Sequence, residues 1–187
     1  MPEPVFSRSL TAAEYLEGEK SAAERHEFVN GAVFAMTGAS KTHNRLTKRL
    51  ARLFDDRLAG RPCEAFGTDV KVRVQGLNDD RFYYPDLHVE CAPFTPHEYY
   101  SEHPVLILEV LSNSTERGDR SDKFYAYRRL SSLMEYILVA QDACRVEVYR
   151  RATGWDLEVF GTGERFRLDA LDDELGVDEI YTDILAA

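Results

Sequence analysis

Pro104-Val-Leu-Ile-Leu-Glu109-Val-Leu-Ser112 carries aliphatic side chains at both odd and even positions, the pattern of a strand buried on both faces. Glu109 interrupts it. Taking a carboxylate out of water costs several kcal/mol unless a cation, a hydrogen-bond cage or a bound proton offsets the loss, so this strand needs a partner for its acid. Upstream, Tyr83-Tyr-Pro-Asp86-Leu-His-Val-Glu-Cys91 reads as another strand, with Asp86 just after a proline. Two acids at strand positions and a cation to hold them make a metal-site hypothesis.

Working outward, residues 112–118 form a polar turn that runs into a helix from near Asp119. Asp119 is placed to cap that helix, and Asp122 falls in its first turn, where the dipole favours acids. Lys123 and Tyr127 stand four apart and share a face. Residues 135–139 read as a strand, 145–150 and 155–160 as a hairpin around Thr153-Gly154, and 165–168 as a short addition. Leu175, Val177, Ile180, Tyr181 and Ile184 have the spacing of one helical face. Towards the N-terminus, Thr11-Ala-Ala-Glu14 is a capping box that starts a short helix. Asn30-Gly31, between the β-prone runs of residues 26–37, gives the positive φ angles of a type I′ hairpin. Residues 41–58 read as a helix. Residues 63–75 read as one strand with Val70, Val72 and Val74 on one face and Asp69, Lys71 and Arg73 on the other. A loop over 76–80 leads into the Asp86 strand. This order gives an α/β or α+β fold around a mixed central sheet flanked by helices, with an N-terminal helix and hairpin. At 187 residues the chain is read as one domain over 1–187.

No apolar run approaches the ~20 residues that span a bilayer, and Met-Pro-Glu-Pro-Val-Phe lacks the layout of a signal peptide. The expected location is the cytoplasm, with no membrane partner. Cys63, Cys91 and Cys144 are scattered and read as reduced, buried thiols; Cys91, His97 and His103 match no common zinc spacing. A net charge of −10 argues against a protein that coats nucleic acid. The charge is uneven, however. Seven acids from Asp169 onward meet no Lys or Arg in the same stretch, whereas Lys41, Arg45, Lys48 and Arg52 form a basic stripe beside the apolar line Leu46, Leu50, Leu53. The stripe reads either as a solvated helix face or as a contact for phosphates.

Glu109 shares its face with Ile107 and Leu111, and Asp86 with Tyr84 and His88. If the two strands are neighbours, both carboxylates converge on one ion. Hard oxygen donors favour Mg²⁺ or Mn²⁺ over zinc. Such an ion activates water and neutralises charge on a phosphate in the transition state. Lys123, early in the next helix, is placed to orient that water or stabilise the phosphorus. Each residue also has an ordinary reading: Asp86 on an exposed strand face, Glu109 in a buried salt bridge, Lys123 on a solvated helix.

Tyr84-Pro85-Asp86, Leu108-Glu109-Val110-Leu111-Ser112-Asn113-Ser114-Thr115, then Asp119, Lys123 and Tyr127, and Glu135-Tyr136-Ile137-Leu138-Val139 together resemble the Uma-type restriction endonucleases of the PD-(D/E)XK nuclease superfamily. The likeness extends to Glu27 with Asn30-Gly31, to His43, and to Asp178-Glu179-Ile180-Tyr181, so it covers nearly the whole chain. It implies a restriction-endonuclease-like fold with a divalent metal at Asp86 and Glu109 and a lysine nearby. One position departs from the pattern. The superfamily's usual lysine lies two residues after the second acid, and here that residue is Leu111; Lys123 resembles a relocated lysine. Glu27 is then a further metal ligand or an orienting base, and His43 a phosphate contact or a helix cap. Tyr127 lines the cleft or packs in the core, and Lys71 is a further candidate for the cleft.

The expected function is a Mg²⁺- or Mn²⁺-dependent endonuclease acting on DNA phosphodiesters. The catalytic residues are Asp86, Glu109 and Lys123, the DNA contacts are Lys41, Arg45, Lys48 and Arg52, and the assembly is a homodimer. The alternative is a nucleic-acid or protein interaction module with weak or no catalysis on the same scaffold.

Overall fold

The Glu109 strand is β8, Pro104–Leu111, and it lies inside a six-stranded sheet. From one edge the order is β11 (Leu157–Gly161), β10 (Arg145–Arg150), β9 (Glu135–Ala140), β8, β6 (Leu87–Cys91) and β3 (Cys63–Gly67). Only β8 and β9 run parallel; the other pairs are antiparallel. The computed structural model describes residues 4–6, 8–36, 38–77, 79–112 and 116–185. Thr37, Asn78 and the Asn113-Ser114-Thr115 part of the motif lie outside the described residues.

Alternation along β8 divides the molecule into two cores. Leu106, Leu108 and Val110 face Leu46, Leu50 and Phe54 of helix α2 (Lys41–Leu58), together with Phe166, Leu175, Val177 and Ile180 from the C-terminal part. Ile107 and Leu111 face the other way, against Phe124, Tyr127, Leu130, Leu138 and Tyr136. Glu109 shares this second face. Val72, Val74 and Tyr83 close that core from a separate sheet, ordered β2 (Ala32–Ala35), β1 (His26–Val29), β5 (Asp79–Tyr83), β4 (Lys71–Gly76), β7 (Tyr100–Ser101). The mixed central sheet therefore has a second mixed sheet packed on it. Behind that second sheet, α1 (Ala12–Glu19) lays Tyr15 on Phe28, with ring centroids 5.0 Å apart. Two small elements complete the fold, the β12 (Arg165–Leu168) and β13 (Asp173–Gly176) pair and α5 (Val177–Tyr181). Among the described residues no helix is long and apolar enough to cross a membrane.

The capping box and the hairpin form as expected: Thr11 caps α1 with Glu14 reaching back, and Asn30 and Gly31 have φ of 47° and 92°. Elsewhere the structure corrects the sequence. Residues 63–75 are two strands in different sheets, because the chain turns where Val70 N donates to Gly67 O, and Lys71 is buried along with Val72. The loop expected over 76–80 is the turn of a β4–β5 hairpin. Leu175 pairs with Phe166 across β12–β13 and is not helical; only Val177, Ile180 and Tyr181 share the short helix. The acids there are balanced from afar, by Arg57 and Arg165 on Glu179 and by Arg61 on Asp173. The basic stripe of α2 lies opposite its buried line, which runs Leu46, Leu50, Phe54, Leu58 with Leu53 only partly covered. Finally, Cys63 and Cys91 are direct partners across β3–β6 and form a disulfide, leaving only Cys144 free. A separation of 28 residues hides an adjacency that only strand pairing creates.

Candidate active site

β6 and β8 are neighbours, with Leu87 opposite Leu108, so Asp86, in the bend just before β6, falls opposite Glu109. The Asp86 amide lies 3.4 Å from Glu109 Oε2, and the Val110 amide donates to Asp86 Oδ2 at 2.7 Å. The two acids are thus tied to each other's strands.

The chain after Ser112 supplies the cation. Its helix begins at Glu116, ahead of the expected start, as α3 (Glu116–Gly118), then a π-helical stretch (Asp119–Lys123), then α4 (Phe124–Tyr127). Asp119 is therefore inside the helix and buried, where it cannot cap. The π stretch still places Asp119 and Lys123 together, with Nζ 3.4 Å from Asp119 Oδ1. The same ammonium lies 3.2 Å from Glu109 Oε1 and 3.0 Å from Glu27 Oε1. Glu27 arrives by alternation along β1. Phe28 packs behind the second sheet against Tyr15 while Val29 packs on the core between the sheets, so Glu27 is on the Lys123 side.

His43 completes the group from the first turn of α2. Ser40 caps that helix, accepting from the His43 amide at 3.0 Å and donating to Gln141 at 2.8 Å, just past the end of β9. From there His43 Nε2 reaches Asp86 Oδ2 at 3.1 Å. Its Nδ1 is buried without a hydrogen-bond partner.

These contacts set the protonation. Burial, with smaller contributions from Asp119, Asp86 and Glu27, pushes the Glu109 carboxyl well above its ordinary range against the pull of Lys123. Burial also opposes charge on Lys123, but Glu109, Glu27 and Asp119 outweigh it, so the ammonium holds its proton above the ordinary lysine range. At His43 burial is likewise outweighed, here by Asp86, and its pKa rises. Tyr127 is fully buried. Burial, then Glu109, pushes its phenol far up, so it stays protonated, and its ring packs on Tyr83 and Tyr136 at 5.5 and 5.7 Å.

Of the residues singled out from sequence, the structure brings Asp86, Glu109, Lys123, Glu27 and His43 together, with Tyr127 packed beneath. Lys71 is elsewhere. Its Nζ bonds the Tyr84 hydroxyl at 3.1 Å, which in turn donates to Glu19 at 2.9 Å, a network that includes none of the site acids. Lys41, Arg45, Lys48 and Arg52 are exposed on the outer face of α2, and Arg45 donates to the Asp183 carbonyl. Sequence reasoning missed Asp119 as a site member, although its position four residues before Lys123 was a usable signal. Among the described residues, no group of three or more His, Cys, Asp or Glu is arranged to hold a metal ion. Three of the site's acids surround the Lys123 ammonium instead.

Residues 12–178 match the family model described as "Uma2: Putative restriction endonuclease". Two proteins of Synechocystis sp. (strain ATCC 27184 / PCC 6803 / Kazusa) are similar in sequence. "Uncharacterized protein slr1290" is 33% identical over 92% of this chain and 91% of its own length. "Uncharacterized protein sll1609" is 38% identical over 78% and 82% respectively. The fold is similar to the crystal structure of "a putative nuclease belonging to DUF820" from Anabaena variabilis ATCC 29413, with a TM-score of 0.76 over 94% of this chain and 99% of that one, at 16% identity.

Proposed function

The chain belongs to the Uma2 family of putative restriction endonucleases, and from that premise we propose that it is a Mg²⁺- or Mn²⁺-dependent endonuclease of DNA, with Asp86 and Glu109 as metal ligands. The observation that carries this reading is a charge imbalance. Asp86, Glu109, Glu27 and Asp119 gather around one ammonium and one imidazole. In a site this buried the acids outnumber the basic groups, and the proton that burial favours on Glu109 occupies a place that a divalent ion fits once that proton is displaced. The donors suit it, since Mg²⁺ takes one or two carboxylates and keeps waters for the rest of its shell. When bound, the ion neutralises charge on the phosphodiester and makes water a better nucleophile.

The protein's own groups do the rest. Asp86 and Glu109, fixed through backbone hydrogen bonds, would hold the ion. Lys123 keeps its proton and acts as a fixed positive charge towards the phosphorus, in the place left by Leu111. Glu27 and Asp119 hold that ammonium in position. His43, oriented by Asp86, presents a second cation to a phosphate oxygen. Lys41, Arg45, Lys48 and Arg52 track the flanking backbone along the outer face of α2. The enzyme acts as one domain in a cytoplasmic homodimer, one copy for each strand; a light-scattering mass equal to the monomer overturns the dimer.

A supercoiled plasmid tests the reading. The parent nicks it in Mg²⁺ or Mn²⁺ and not in EDTA, and Asp86→Ala does not nick it. Duplex binding with no cleavage in any metal supports the alternative, an interaction module, which the engagement of Lys123 with three carboxylates favours.

A further inference from the structure

Leading away from Lys123 is a row of aromatic rings. The ammonium lies 5.8 Å from the Tyr83 ring centre. Tyr83 meets Tyr127 at 5.5 Å, Tyr127 meets Tyr136 at 5.7 Å, and Tyr136 stacks on Phe124 at 5.7 Å. Phe124 then contacts Trp155 at 6.2 Å and Tyr125 at 5.6 Å. The first four rings are core. The last two reach solvent, Tyr125 at 65% exposure and Trp155 half-buried.

At this outer end the rings are joined by arginine. The Arg128 guanidinium lies 5.1 Å from the Phe124 ring centre, 5.7 Å from Trp155 and 6.0 Å from Tyr125, and Arg151 lies 5.2 Å from Trp155. Among the described residues neither arginine makes an ion pair. Arg151 donates instead to the Leu130, Leu133 and Arg128 carbonyls. Their neighbours Arg120, Arg129, Arg145 and Arg150 all pair with acids. In a chain of net charge −10, two cations without carboxylate partners beside two accessible rings form a surface complementary to an anion that also carries flat apolar groups.

A nucleic-acid strand with unpaired bases has both properties, whereas a duplex keeps its base faces stacked inside. We infer that Tyr125, Trp155 and Arg128 form a binding surface for single-stranded DNA at the outer end of this row of rings, with bases stacking on the two rings and a phosphate on Arg128. This rests on the nuclease reading above and narrows its substrate to DNA with an unpaired stretch that this surface can hold.

Trp155 is the chain's single tryptophan, so its fluorescence reports this surface whether or not cleavage occurs. Titration of a short oligothymidylate in EDTA is expected to quench it saturably, and a blunt duplex of equal length to quench it far less. Tyr125→Ala, at an exposed position, and Arg128→Gln should each weaken oligothymidylate binding about tenfold, as expected for losing one stacked base or its phosphate contact. Arg128→Lys keeps the charge and should restore most of the binding, which separates a charge contact from a packing defect. Unchanged Trp155 emission, or Tyr125→Ala and Arg128→Gln proteins that bind like the parent, overturns the surface; if the parent still nicks plasmid, the nuclease reading stands without it. Quenching that depends on both residues in a protein that cleaves nothing supports the surface while the nuclease reading falls.

Discussion

Asp86 and Glu109 are each held by the other's strand, the Asp86 amide 3.4 Å from Glu109 Oε2 and Asp86 Oδ2 accepting from the Val110 amide at 2.7 Å. The β6–β8 pairing sets Asp86 opposite Glu109, and these two hydrogen bonds hold the side chains there. This is the rigidity a site needs if it is to present two charges to one ligand without reorganising. It also concentrates like charge in the interior, and the other site residues respond to that problem.

Lys123 is the main response in the metal-free protein. Its removal leaves Glu109, Glu27 and Asp119 without their shared cation, and breaking a buried pair from one side costs about 3–5 kcal/mol. Lys123→Ala should lower the denaturant midpoint accordingly with little change in slope. The deficit should shrink as pH falls, because protonation removes the uncompensated charge. A Lys123→Ala protein as stable as the parent at neutral pH means that the ammonium does not hold these acids.

At α1 the expected pH dependence has the same sense, in a more acidic window. The Thr11 amide and hydroxyl hold the Glu14 carboxyl down to about 2 from an ordinary 4.5. An acid depressed in the fold adds stability at pH values above the ordinary pKa, and that contribution disappears as pH drops from 4.5 through about 2. Losing the Thr11 hydroxyl costs ~1 kcal/mol and should flatten this part of the acid limb. Thermal melts of Thr11→Ala and parent across pH 2 to 5 check both expectations. The cap matters to the site because α1 supports β1, the strand that delivers Glu27.

The disulfide is open to a direct chemical count. Without reductant, alkylation followed by mass spectrometry should label Cys144 alone; labelling of all three thiols excludes the Cys63–Cys91 bond. Cys63→Ser should cost about 3 kcal/mol against the oxidised parent, and the two proteins should converge in dithiothreitol.

How much of this was legible in sequence depended on range. Glu109 stood out because a charge in an apolar strand is a local anomaly, and Asp86 because an apolar strand was readable beside it, although residues 83–91, expected as one strand, divide into the end of β5 and all of β6, with Asp86 in the bend between. Lys123 followed from its place early in the helix after the Glu109 strand and from the family motifs, Glu27 and His43 from the family motifs alone. Asp119 was misread because its value as a cap depends on where the helix starts, and a π-helical stretch beginning further upstream leaves no simple periodic trace. Lys71 and the Cys63–Cys91 pair were misread for one reason. Residues 63–75 alternate like a single strand, so the turn at Gly67 that sends β3 and β4 into different sheets was passed over, and with it went the neighbours of both. The parallel β8–β9 pair was foreseeable as part of a mixed sheet, but the second sheet packed on it was not, since no local pattern states which strands pair.

The central claim is that Asp86 and Glu109 hold a divalent ion, and calorimetric titration of Mn²⁺ into the protein tests it most directly. The account predicts saturable binding to the parent, lost in Asp86→Asn and in Glu109→Gln, with both variants folded by circular dichroism. Equal Mn²⁺ binding by parent and Glu109→Gln would contradict it.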